Sequence, residues 1–72
     1  MADLPTDRIG LARHHVATGR RIVAKQRRLI AEIRARGGDC EDAEDLLGAF
    51  ERTLAIFEDD LAVFMRDSGG RP

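Results

Sequence analysis

Four groups of side chains in this chain could do chemistry: the adjacent pair His14-His15, the single cysteine Cys40, the carboxylates Asp39, Glu41, Asp42, Glu44 and Asp45, and the cations Arg21, Lys25 and Arg28. Neighbouring residues on a helix point about 100° apart, so His14 and His15 cannot chelate one ion together, and neither has a His or Cys three or four residues further on. His15 is expected to be a partly buried or interfacial histidine. Cys40 has no histidine or other base near it in sequence and sits among carboxylates, a setting that works against a thiolate nucleophile, although a helix start pulls the other way. The span from Asp39 to Glu51 has acids but lacks the alternating ligands and central glycine of a calcium loop. No nucleophile, base and orienting group can be assembled from these residues, so the expectation is a non-enzyme without metal or cofactor.

What positions these groups is a chain built in two oppositely charged halves. Residues 1–38 carry nine Lys/Arg against three acids, and residues 39–72 carry ten acids against three arginines, a net of +6 facing a net of −7. The halves meet at Gly37-Gly38-Asp39, which punctuates helices well: Gly37 can take the left-handed conformation that ends one helix, and Asp39 can cap the next. In the first half Ile9, Ala12, Val16, Gly19, Val23, Gln26, Ile30 and Ile33 recur at alternating spacings of three and four, a heptad seam with Ile22 and Leu29 widening it at g. In the second half Leu47, Leu54 and Leu61 take a, and Phe50, Phe57 and Phe64 take d. The expected fold is all-α, an antiparallel two-helix hairpin with helices over about 6–37 and 40–67 and frayed ends at 1–5 and 68–72. Thr6 is the expected N-cap of the first helix. Asp39 or Cys40 should start the second, with Asp39 and Asp42 resembling a capping box.

The register is set by charge. Arg13, Arg20, Arg27 and Arg34 all occupy e, as do Glu44, Glu51 and Glu58 in the second helix. Folding at Gly38-Asp39 pairs Arg34 with Glu44, Arg27 with Glu51 and Arg20 with Glu58, numbers that total 78 in every case. The same offset predicts core layers of Ile30 near Phe50, Gln26 near Leu54, Val23 near Phe57, Gly19 near Leu61 and Val16 near Phe64. Each exposed pair is worth only about 0.2–1 kcal/mol, so the pairs select orientation more than they supply stability.

One hairpin leaves apolar residues over: Ile22, Leu29, Leu46, Ile56, Val63 and Met65. A 72-residue chain buries too little surface to be comfortably stable alone, and one cysteine cannot make an intrachain disulfide. The economical solution is a homodimer, two hairpins joined by a two-fold axis into a four-helix bundle, with Ile22, Leu29, Leu46, Ile56 and Val63 at the interface. No apolar run approaches the roughly 20 residues that cross a bilayer, and no signal pattern opens the chain, so the expected location is the cytoplasm and no membrane partner is expected.

Arg13, Arg20, Arg27 and Arg34 belong to the hairpin, whereas Arg21, Lys25 and Arg28, with His14, form an outward stripe that could grip phosphates along a groove or an RNA helix. In this respect the chain resembles the architecture of Rop, the plasmid-copy-number regulator that is a dimer of helical hairpins using one helix pair to hold RNA. Against that reading, no aromatic residue accompanies the stripe for stacking, and the acidic helices would repel a polyanion. The stretches HHVATGRRIVAKQRRLIAEIRARGGD and AEDLLGAFERTLAIFEDDL resemble a group of short alphaproteobacterial proteins with a His-Val-x-x-Gly-x-Arg-x-Ile-x-x-Gln start, an Arg-Gly-x-Asp turn and a Leu-Leu-containing second helix. The resemblance covers residues 14 to about 62 and implies bacterial origin and a helical hairpin; it adds no catalytic residue. The expected function is a non-enzymatic interaction module that binds itself and another protein, with nucleic-acid binding by Arg21, Lys25 and Arg28 as the alternative.

Overall fold

The computed structural model of the protein describes residues 7–69, and nearly all of them are helical. Helix α1 spans Arg8–Ala35 and α2 spans Glu41–Gly69. The two run antiparallel as a flat hairpin measuring 56 × 28 × 14 Å, thus a single layer of helices.

Each helix end has a local cause. Asp7 is extended (φ −82°, ψ 155°), and its Oδ2 accepts from the Gly10 N–H at 2.8 Å, so Asp7 is the N-cap of α1. The expected cap, Thr6, lies outside the described residues. At the other end the Gly37 N–H donates to the Arg34 carbonyl and the Gly38 N–H to the Ile33 carbonyl, both at 2.9 Å, while Gly37 has φ 75°. This is a Schellman motif, and it stops α1 at Ala35, two residues short of the expected end. Both glycines are needed. The first supplies the left-handed backbone, and at the second a Cβ would lie 3.0 Å from Ile33 Cγ2.

Helix α2 begins at Glu41, one residue after Cys40 and two after Asp39, because the Glu44 N–H donates to the Cys40 carbonyl at 2.8 Å and makes Cys40 the half-in flanking residue. Asp39 does not act through Asp42. Its Oδ1 accepts from the Glu41 N–H at 3.0 Å, and Glu41, Asp42 and Glu44 place negative charge over the first turn. The helix continues through Gly69, past the expected end at 67, so residues 68–69 are helical rather than frayed.

Burial is unequal between the helices. Ala12, Val16, Val23, Gln26 and Ile30 of α1 are buried, whereas Leu47, Phe50, Leu54, Phe57, Leu61 and Phe64 of α2 are only half-buried. The cause is size. Large α2 side chains cover the smaller α1 seam but extend beyond it, where they stay half-buried. No large side chain is completely buried among the described residues.

The two parts of the register prediction separate here. All three ion pairs form: Arg20 to Glu58 at 3.1 Å, Arg27 to Glu51 at 2.7 Å, and Arg34 to Glu44. The layer at Gly19 is different. Gly19 faces Leu54, not Leu61: a Cβ built on Gly19 would lie 3.0 Å from Leu54 Cδ1 and 3.8 Å from Leu54 Cα. Gln26, buried in the seam, donates from its Nε2 to the Ala43 carbonyl at 2.9 Å. Helical side chains lean toward their own N-terminus. In an antiparallel pair the two leans are opposed, so long Arg and Glu tips meet from residues with higher numbers than those whose backbones lie side by side. The ion pairs therefore report where tips meet, and Gly19, which has no side chain, reports where the backbones do.

Candidate interaction surfaces

The hairpin has two broad faces with different chemistry. On the face of the e positions, three arginine–glutamate pairs bridge the helices, their side chains 43–67 % exposed, and screen Ile30 and Leu47 beneath them. Arg13 continues the arginine row, but the register puts Met65 across from it, and Arg13 forms no ion pair among the described residues.

The opposite face is an open apolar groove between the helices. Three depressions share lining residues and run into one another: one with Leu11, His15, Phe57 and Phe64, a second with His15, Ile22, Phe50 and Phe57, a third with Ile22, Leu29 and Phe50. Its rims are polar. Arg8 and Lys25 stand on the α1 side and Asp60 on the α2 side. The Arg8 guanidinium lies 5.1 Å from the centre of the Phe64 ring, and the His15 and Phe57 rings stack at 5.1 Å with a 22° tilt. Both contacts escaped the sequence reading. The available signal was that His15 lies in the g row with Ile22 and Leu29, beside the phenylalanine row.

All five residues expected at an interface are exposed: Ile22 42 %, Leu29 42 %, Leu46 47 %, Ile56 59 % and Val63 41 %. By heptad position Ile22, Leu29 and Leu46 sit at g and Ile56 and Val63 at c, which puts them on the groove side of the hairpin, away from the ion pairs. The accessible surface is 5634 Å², against roughly 4,500 Å² for a compact monomer of this mass.

The basic stripe runs from the outside of α1, at Arg21 and Arg28, to the groove rim at Lys25. Arg21, Lys25 and Arg28 are all exposed; Arg21 donates to Thr18 Oγ1 at 3.3 Å, and neither Lys25 nor Arg28 forms an ion pair among the described residues. Cys40 is buried at the start of α2, where its thiol lies 3.6 Å from Glu44 Oε1. The His14 and His15 ring centres are 6.0 Å apart, and no group of three or more His, Cys, Asp or Glu among the described residues could hold a metal ion. No helix among them is long and apolar enough to cross a membrane. Compared with protein-family models, with curated proteins and with solved structures, the chain matches none.

Proposed function

We propose that this chain is a small non-enzymatic interaction module that works as a homodimer, two hairpins closing their apolar grooves on each other into a four-helix bundle whose outer surface docks another protein. The cytoplasm of a bacterium is the proposed setting, in keeping with the resemblance carried by residues 14 to about 62. The observation that carries this reading is the contrast between faces: three ion pairs close one, while the other leaves three phenylalanines half-covered beside Ile22, Leu29 and Ile56. A chain of this size gains most of its missing core by hiding that groove. Light scattering should give twice the 8.0 kDa chain mass, and Ile56→Asp should shift the protein toward monomer. An unchanged assembly in that variant would count against the groove as the interface.

The second reading, nucleic-acid binding through Arg21, Lys25 and Arg28, is supported by the exposure of that stripe and by the absence of ion-pair partners for Lys25 and Arg28 among the described residues. Salt-dependent retention of RNA, abolished when these three residues become Glu while helix content survives, would favour it. Absence of retention even at low salt would end it.

A further inference from the structure

We infer that the two copies join about an axis parallel to the helices, so that α1 of one hairpin covers α2 of the other and both Gly37-Gly38-Asp39 turns lie at the same end of the bundle. This rests on the homodimer proposed above and adds its topology. Two flat hairpins can close groove to groove in only two symmetric ways. An axis parallel to the helices sets α1 over the other copy's α2; an axis across the helices, within the interface plane, sets α1 over α1 and α2 over α2 with the turns at opposite ends.

Charge decides between them. The α1 side of the groove carries Arg8 and Lys25, and the α2 side carries Asp60. By heptad position Arg36 and the acid Glu32 extend the first side and Asp42 the second, all exposed near the turn end, so the α1 rim stays net basic with Arg8, Lys25 and Arg36 against Glu32. With turns together, Arg8 comes level with the region of Asp60 in the other copy, and Arg36 with the region of Asp42. With turns opposed, Arg8 meets the end bearing Arg36, and Asp60 meets the end bearing Asp42. The whole helices repeat the contrast, since one half of the chain carries +6 and the other −7. Rim charges of this kind choose orientation more than affinity, because a like-charged juxtaposition is penalised even where a matched one adds little.

The apolar pattern agrees. Leu29 and Leu46 both lie toward the turn end of the groove side. They meet across the interface only when the turns are together. The same arrangement puts the two α1 helices on a diagonal of the bundle, with Arg21 and Arg28 of the two copies far apart, so it does not offer the paired α1 surface that an RNA grip would use.

The test uses spin labels at Ala35→Cys, near the turn, and at Ala24→Cys, mid-helix, each with Cys40→Ser, plus isotope-filtered nuclear Overhauser contacts in a mixed-labelled dimer of the unaltered chain. Turns together should give roughly 20–30 Å between labels at both positions, and a Leu29–Leu46 contact between copies. A distance of about 40 Å or more at position 35, with a short one at 24, or absence of the Leu29–Leu46 contact in an established dimer, would overturn the topology while leaving the homodimer intact. No inter-copy distance at either position together with a monomer mass would remove the homodimer and this inference with it. Should the cysteine variants fail to fold, the Overhauser contacts of the unaltered chain decide alone.

Discussion

Val23 and Ile22 are adjacent in sequence and belong to two different structures. Val23 is 4 % exposed and lies in the seam between α1 and α2; Ile22 is 42 % exposed and lines the groove on the open face. The comparison extends to the faces themselves. The ion-paired face is closed within one chain along its three pairs, because long Arg and Glu side chains span the gap between helices, and Met65 beyond them is left exposed on that row, at 45 %. The groove face is not closed, because α1 places small residues opposite the leucines and phenylalanines of α2. One chain supplies its own orientation but only part of its own core.

The sharpest way to break that comparison is a charge at each of the two neighbours. Val23→Asp puts an unpaired carboxylate into the buried seam and should cost about 3 kcal/mol or more, enough to remove the helical circular dichroism of so small a domain. Ile22→Asp should instead keep its helix content at high protein concentration and weaken association. Equal loss of helix in both variants would erase the distinction between core and face.

Gly19 sharpens the account of backbone level. Gly19→Leu overfills the approach to Leu54 and should destabilise by about 1–3 kcal/mol in denaturant titrations. In Gly19→Ala the one tight contact, at 3.0 Å, is with the terminal methyl of a flexible leucine, and the change gains about 1 kcal/mol in helix propensity, so it should be near neutral. Gly37→Ala tests another reason for a glycine. There the space is open, but φ is 75°, and the expected cost is about 1 kcal/mol.

The smallest expected effect concerns the paired face. A double-mutant cycle on Arg27 and Glu51, exchanging their charges singly and together, should show a coupling of about 0.2–1 kcal/mol that shrinks as salt rises. The side chains are 62 % and 44 % exposed, and a coupling well above that range would mean the pairs hold the hairpin rather than orient it.

Much of this was legible in the sequence, and the boundary of what was legible is physical. The hairpin, its turn and all three ion pairs follow from period-seven patterns in charge and hydrophobicity. So does the set of exposed apolar residues, since a heptad position fixes which side of a helix a residue faces. The axial level of core neighbours does not follow, because pairing by tips and pairing by backbones differ by the lean of the side chains. This is why Gly19 was expected near Leu61 and lies against Leu54. The contacts of His15 with Phe57 and of Arg8 with Phe64 were hidden for a related reason: they depend on that same axial offset. The cap at Asp7 was missed by one residue, since Thr6 and Asp7 are both good caps by type and only geometry separates them.

Sedimentation equilibrium of the unaltered chain at micromolar concentration tests the central claim most directly. If the open groove is hidden by a second copy, the mass will be twice 8.0 kDa, with full helix content. A single folded species of 8.0 kDa would mean that the groove stays open in solution, and would contradict the dimer.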